Sequence, residues 1–555
     1  MAWILVHLVA SRTAARFDKL SQSGIGTDDR TRLGALTDLS SVPAPDVLMR
    51  VLLANTNTRA DLLAAPPVGA ACVATAAAAA GHEVRLLDLC FVRDRDRELT
   101  QAVSSFHPEV VGLSIRNLEN VNLLRPISYV DDARHVIDII RGLTNAPIVL
   151  GGSAVSLCPG PVLQELKADY VVAGDGETAF VALLSEIGAT RVPRGIPGVG
   201  FLAGDAFQFS PPAFSDALFG NPHLARWVNL TQYRRMGSSY TIQTKRGCCQ
   251  HCIYCTYNQA LEGRSLRLRP PEDVVAEIEE AVLRHGITDF DFVDSVFNEP
   301  VDHCREILER ICKCSWKARF TAMGMTPRRV DRAFLSLLWE AGFRSFMMTP
   351  DSASGSVLRR YGKGFGVEDL AGAATALDGT GFAVMWFFLV GGPGETHDTI
   401  EETLEFVRRH LARAKRPRHM MAHFYLGVRV YPGTQLWDVA IRDGFVAPES
   451  DPLQTQWYIS PQLDIVRAVD QLVQESLIHP EVGLGFDERY LAMSGLAAAL
   501  GRVFHLVKPY WCNTAGFNGL LIGTGLRRLL RPRDLGRQIQ ERLARQRAAA
   551  RTAAR

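Results

Sequence analysis

The rhythm of apolar and polar residues changes at about position 47. Residues 1–46 carry little pattern, whereas Val47–Asn55 (VLMRVLLAN) is a largely apolar run of the kind that forms a buried strand. Because Met49 leads straight into that run, the first 48 residues are expected to be a mis-assigned start or a dispensable extension. From there to about residue 200, Arg50–Ala54, Glu83–Asp88, Val110–Ile115, Ile148–Gly151 and Tyr170–Ala173 read as strands, separated by helical stretches such as Val68–Ala80. This alternation predicts a parallel sheet with helices on both faces. Ligands on such sheets bind at the carboxyl ends of the strands, so the loops NTNTRADLLAAPP, SIRNLENV, GGSAVSLCPG and GDGETA carry the expected site. They are rich in Gly, Ser and Asn, which allow close backbone approach and offer hydrogen bonds.

Residues 201–240, and Pro211–Tyr240 in particular, read as a connector. A second alternating block runs from Thr241–Lys245 to about residue 440, with strands expected at Phe290–Val293, Ala318–Met323, Ser345–Thr349, Val384–Val390 and His423–Val430. Helices such as Pro271–Arg284 and Val330–Ala341 lie between them, the pattern of a partial or full β/α barrel with its chemistry at the C-terminal strand ends. Residues 441–555 read as helical, without a motif. The expected division is thus an extension (1–46), a Rossmann-like domain (47–200), a connector (201–240), a barrel (241–440) and a helical C-terminal region with a basic tail (441–555).

With 47 % hydrophobic residues and 61 Lys and Arg against 59 Asp and Glu, the 555-residue chain reads as soluble and globular. Its 11 Cys are unevenly placed, four of them within Cys248–Cys255, which suits metal binding in a reducing cytoplasm and excludes a small disulfide scaffold. No secretory signal is expected, because the apolar start lacks preceding positive charges. Leu62–His82 and Pro509–Leu526 lack charge, but the first contains Pro66–Pro67 and the second is diluted by Asn, Thr and Gly, so neither reads as a membrane span. Gly525–Arg555 holds ten Arg and two acidic residues. There Leu535, Ile539 and Leu543 recur at helical spacing, compatible with a peripheral contact on an anionic membrane or with a solvated terminus. Nucleic acid is not expected as a partner, since no aromatic stacking platform accompanies the basic tail.

The sharpest chemical signal is RGCCQHCIYC, Arg246–Cys255, which contains Cys-x3-Cys-x2-Cys directly after the first barrel strand. Three thiolates, Cys248, Cys252 and Cys255, can hold three corners of a 4Fe–4S cluster and leave the fourth iron open for a chelating ligand. Zinc would normally need a fourth Cys or His, for which His251 is awkwardly placed. Cys249 reads as a bystander, and Cys304, Cys312 and Cys314 as inert thiols.

At this motif the chain resembles the radical S-adenosylmethionine (SAM) superfamily. Phe290–Asn298 (FDFVDSVFN), Asp351–Gly355 (DSASG), Leu389–Thr396 (LVGGPGET) and Val430–Leu436 (VYPGTQL) are similar to that family's strand ends. The resemblance implies a partial (β/α)6 barrel in which SAM chelates the open iron and Asp294, Ser352, Gly391, Gly392 and Glu395 surround it. One electron, from an external donor such as flavodoxin or ferredoxin, would cleave SAM to methionine and a 5′-deoxyadenosyl radical.

The region Met49–Ile187 resembles the cobalamin-binding Rossmann-like domain that precedes the barrel in one subgroup. By that resemblance Gly151, Gly152, Ser153, Gly174, Gly176 and Glu177 surround the nucleotide tail of cobalamin, and Ser114, Arg116 and Asn117 lie near the corrin. The Asp-x-His-x-x-Gly sequence of methionine-synthase-like domains is missing, which leaves the lower axial ligand of cobalt open.

Together the two resemblances imply a C-methyltransferase: hydrogen abstraction from an unactivated carbon, methyl transfer from methylcobalamin, and remethylation by a second SAM. Alternatives are non-methylating radical chemistry (cyclisation, ring contraction or oxidation) and a non-catalytic iron–sulfur or cobalamin sensor. The expected substrate is a small molecule, natural product or lipid. Met323, Met325, Met348, Trp386, His423 and Tyr425 are candidates for its pocket, each with plain core packing as the alternative.

Overall fold

In the computed structural model, residues 47–58, 64–214, 220–412, 420–504, 506, 510–529 and 534–553 are described. The expected extension 1–46 lies outside them. The first sheet comprises β1 (Arg50–Asn55), β2 (Glu83–Asp88), β3 (Val110–Ser114), β4 (Ile148–Gly151), β5 (Tyr170–Val172), β6 (Val199–Ala203) and β7 (Ala206–Phe209), in the order β2-β1-β3-β4-β5-β6-β7. The first five strands are parallel and the last two antiparallel. The sheet therefore runs past residue 200, into the stretch expected to be a connector. Asn55 pairs with Ser114, and Ser114 with Gly151, so the loops after β1, β3 and β4 leave one edge side by side. The strand order reverses between β1 and β3, the place where a 2-1-3-4-5 sheet binds its ligand.

Helix α1 (Val68–Ala79, VGAACVATAAAA) covers β1 and β2 and packs on α2 (Gly176–Gly188). Its alanines favour helix and permit close packing. At 12 residues it is ~18 Å long, too short to cross a bilayer. Among the described residues no helix is long and apolar enough to do so. The Gly152 turn after β4 has φ +98° and ψ 175°, a region open essentially only to glycine. A Cβ there would lie 2.5 Å from the Ile115 carbonyl oxygen. Gly152→Ala is expected to destabilise the protein by about 1–3 kcal/mol, measured by thermal unfolding.

The second sheet is built from β8 (Tyr240–Ile242), β11 (Asp289–Phe292), β12 (Arg319–Met325), β13 (Phe343–Asp351), β14 (Ala383–Val390), β15 (Met420–Leu426) and β18 (Val482–Leu484), all parallel. Two short antiparallel pairs accompany it: β9 (Lys245–Arg246) with β10 (Arg267–Leu268), and β16 (Val428–Val430) with β17 (Gln456–Tyr458). The expected strand His423–Val430 is thus two strands, broken where Gly427 takes φ +80°. The first six strands form the partial (β/α)6 barrel, and β18 adds a seventh from the C-terminal region.

That region is not an appendage. Helices α3 (Ile465–Ile478), α4 (Glu488–Val503) and α5 (Leu535–Ala553) follow the barrel, and their buried residues share one core with its strands and helices. Leu535, Ile539 and Leu543 are buried, and α5 packs on α3. This corrects the expectation of a free amphipathic stripe: its apolar side is already covered, and arginines such as Arg537 and Arg545 point outward.

Candidate functional site

The loop carrying the cysteine motif leaves β9 and returns through β10. The Gly247 amide donates to Glu262 Oε2 (2.9 Å), the Cys248 amide to the Gly263 carbonyl (3.1 Å) and the Ile253 amide to the Tyr361 carbonyl (3.0 Å). A π-turn, Tyr257–Leu261, follows immediately, a feature common at functional sites. It turns the Tyr257 and Asn258 amides toward the Cys255 sulfur, while the Gln250 amide serves Cys248. Burial first, then the proximity of Cys255 and Cys252, pushes the Cys248 thiol up to about 12. Burial also raises Cys252, against the opposing influence of Lys363. Three thiols held together by amide donors are a donor set for an iron–sulfur cluster, whose sulfur ligands accept such bonds. Among the described residues no three His, Cys, Asp or Glu side chains converge on a single-ion site. Cys249 turns away, exposed, with its sulfur 3.5 Å from Glu299 Oε2, and His251 is also exposed.

Behind the loop, Asp351 holds φ +67° and is gripped by the Tyr254 hydroxyl and the Lys363 ammonium. Lys363 also reaches the Tyr254 hydroxyl (3.0 Å) and the Thr349 carbonyl (3.2 Å). The spacing of the cysteines alone gave no sign of this clamp.

The polar residues expected around SAM prove to be internal fasteners. Asp294 accepts from the Thr244 amide (2.7 Å), the Thr244 hydroxyl (2.8 Å) and the Lys245 amide (3.1 Å), so it fixes the strand end that launches the cysteine loop. Ser352 is buried, 3.2 Å from the Thr403 hydroxyl, and receives the Ser354 amide. Glu395 accepts from Thr399 (2.9 Å) and the Gly391 amide (3.4 Å), and burial pushes its carboxyl up to about 7. Gly391 and Gly392 form the turn after β14, against which Tyr361 packs. The side-chain oxygens of Asp294, Ser352 and Glu395 thus serve the backbone and neighbouring hydroxyls around the expected SAM site.

At the first sheet, Ser114, Arg116, Gly151, Gly152, Ser153, Gly174, Gly176 and Glu177 all line one cavity of about 900 Å³. Asn117 is exposed and does not line it. The glycines leave room for a bulky ligand, and the volume is that of a large ligand pocket. Glu177 is no free acceptor, however, because Arg246 grips its carboxylate with both terminal nitrogens. Burial alone pushes that carboxyl up, and the Arg246 guanidinium overrides it and holds it low. Asp175 adds a 3.2 Å contact to Arg246 and an ion pair with Arg267. The GDGE loop after β5 is therefore bolted to both strands that flank the cysteine loop. A second buried bolt joins Glu119, after β3, to Arg429 on β16 (2.9 Å).

The same cavity continues into the barrel, past Thr241, Gln243, Asp291, Thr321, Met323, Ser345, Met347 and Met385, and Trp511 closes one wall. Of the pocket candidates, Met323 lines it. Met325, Met348 and Trp386 are instead buried in the core between strands and helices: Met348 and Trp386 neighbour the lining residues Met347 and Met385 and point to the opposite face, and a register shift between Ala322 and Met325 turns Met325 away from the face of Met323. His423 packs on Phe387 and Tyr490, and burial lowers its imidazole to about 4. Tyr425 packs on Phe387 and is part-exposed, outside the cavity lining.

Asp291 was not singled out by any motif. Burial pushes its carboxyl up from 3.8 to about 7, and its Oδ1 has no hydrogen-bond partner. A carboxyl raised in the folded state weighs on stability once it ionises: the penalty is absent below pH ~3.8, grows with pH and is complete above pH ~7. Asp291→Asn is therefore expected to stabilise the protein by on the order of 3 kcal/mol at pH 8 and by little at pH 4, read from denaturant unfolding at both pH values.

Comparison with known proteins agrees with this arrangement. The B12 binding domain family matches residues 60–184, and the Radical SAM superfamily matches residues 242–407. The chain thus joins a B12 binding domain to a Radical SAM domain, with a 4Fe–4S cluster, SAM and cobalamin as cofactors. It is 24 % identical over 421 residues to an uncharacterized methyltransferase of Pyrococcus horikoshii, covering 74 % of this chain and 85 % of that protein. It is 26 % identical over 422 residues to a tryptophan 2-C-methyltransferase of Streptomyces laurentii, covering 64 % and 69 %. In fold it is similar to the radical S-adenosylmethionine methyltransferase TsrM from Kitasatospora setae, solved with cobalamin and a 4Fe–4S cluster bound. The TM-score is 0.73 at 24 % identity, over 86 % of this chain and 99 % of that one.

Proposed function

We propose that the protein is a C-methyltransferase that moves a methyl group from cobalamin to a carbon of a small molecule. The observation that carries this reading is the single cavity lined at one end by the strand ends of the first sheet and at the other by the barrel interior. When bound, the cluster and SAM supply one-electron chemistry and cobalamin supplies the transferable methyl group. Cys248, Cys252 and Cys255 hold the cluster, and Lys363 and Tyr254 keep their loop in place through Asp351. Gly152, Ser153, Gly174 and Gly176 receive cobalamin, and the Arg246 bolt keeps their loops facing the barrel. Met323, Met347 and Met385 line the barrel end with apolar surface, which excludes water from a substrate held there. An external flavodoxin- or ferredoxin-like donor provides electrons, and a reducing cytoplasm suits the thiols. The relatives with methyltransferase names support methylation over other outcomes.

The test is turnover by anaerobically purified, cluster-reconstituted protein given cobalamin, methyl-labelled SAM and a reductant, analysed by mass spectrometry. Labelled methylcobalamin with S-adenosylhomocysteine and 5′-deoxyadenosine is the expected outcome. Deoxyadenosine without label on cobalamin would replace methylation with another radical reaction.

A further inference from the structure

The barrel end of the cavity mixes apolar residues with neutral polar ones, and an acid without an ion-pair partner stands on its wall. Asp291 lies on the inward face of β11, in register with Thr241 on one side and Thr321 on the other, and all three line the cavity. Across from them stand Met347 and Met385, with Trp511 closing a side. The nearest charged residues along the strand, Asp289 and Arg319, pair with each other at 2.9 Å, one pleat deeper. Arg319 is thereby engaged by a different acid, and Asp291 Oδ1 is buried without a hydrogen-bond partner. An unpaired buried carboxyl is costly, and such groups are normally satisfied. Oδ1 itself is closed off, and Asp291 joins the cavity lining through the rest of its part-exposed side chain.

We propose that Asp291 is the substrate anchor: the substrate is an apolar small molecule that carries a basic amine, and the amine pairs with Asp291. This rests on the methyltransferase reading and narrows its substrate class. The cation supplies a countercharge that the carboxylate lacks, while the methionines and Trp511 receive the apolar body. It also sets the orientation. Asp291 lies two residues before Val293, at the C-terminal strand end, a rise of ~7 Å. With its amine on Asp291, the substrate points its far end toward the strand ends and the first sheet.

The experiment is calorimetric titration of the anaerobic, cofactor-loaded full chain with 3-phenylpropylamine and with 3-phenylpropanoate, probes of equal length and opposite charge. The wild type is expected to bind the amine at least tenfold more tightly than the acid. Asp291→Asn is expected to shrink that preference to within about twofold, and Asp291→Glu, which keeps the charge, to retain part of it. A wild type that fails to prefer the amine, or a folded Asp291→Asn protein that prefers it as strongly, would overturn the proposal. Labelling of cobalamin by SAM in the wild type without substrate reports on the methyltransferase reading separately, whichever probe binds.

Discussion

Cys252→Ala is expected to strip the protein of its cluster, leaving a folded chain with less than one iron where the reconstituted wild type holds about four. The reason is the economy of the loop. If each of Cys248, Cys252 and Cys255 supplies one corner, as proposed, two remaining thiolates cannot replace the third. The side chain removed is small, and the loop keeps the fasteners that fold it: Gly247 on Glu262, Cys248 on Gly263 and Ile253 on Tyr361. Stability should therefore change far less than iron content. Cys249→Ala is the control, since its sulfur is exposed and faces Glu299, and iron content should stay at the wild-type level. Iron and sulfide assays together with thermal unfolding separate the two variants. Loss of iron in Cys249→Ala, with retention in Cys252→Ala, would reassign the ligands.

Arg246→Met is expected to destabilise the protein by about 3–5 kcal/mol, the cost of leaving buried acids without their cation. Arg246 is nearly buried and holds Glu177 and Asp175 from the other sheet, on the residue directly before Gly247 of the cysteine loop. Its loss frees two loops at once, one expected to receive cobalamin and one the cluster. Cobalamin affinity is expected to fall about tenfold or more, equivalent to at least 1.4 kcal/mol. Arg246→Met with Glu177→Gln should recover part of the stability, because the carboxylate that lost its partner is then neutral. Thermal unfolding and cobalamin titration of both variants check this, and a double variant no better than the single one would show that the pair is not coupled.

Apolar alternation was enough to read both sheets, the first five strands, the six barrel strands and the helices between them. It missed β6, β7 and β18. The short apolar run of β18 (VGL) is too brief to stand out, and β6 and β7 alternate too weakly to separate from loop. Pocket residues were harder, because an error of one residue moves a side chain to the other face. Met348 and Trp386 were chosen where Met347 and Met385 line the cavity, and register shifts in β12 and β13 blur the count further. The cysteines were legible because their spacing is itself the chemistry. Asp294, Ser352 and Glu395 were legible as conspicuous polar residues at strand ends, but not in what they do. Asp294 serves Thr244, 50 positions away, and Ser352 meets Thr403, 51 away, and no local pattern records such pairings. Arg246 and Asp291 escaped for the same reason: the first is defined by its partners and the second by having none at Oδ1.

Both sheets present their strand ends to one chamber. An anaerobic crystal structure of the reconstituted protein with cobalamin tests it most directly. The corrin should lie in the cavity bounded by Ser114, Gly152 and Gly176 on one side and Thr241 and Met347 on the other, with the cluster on Cys248, Cys252 and Cys255. Cobalamin seated on another face of the first sheet, with that chamber closed to it, would contradict the account.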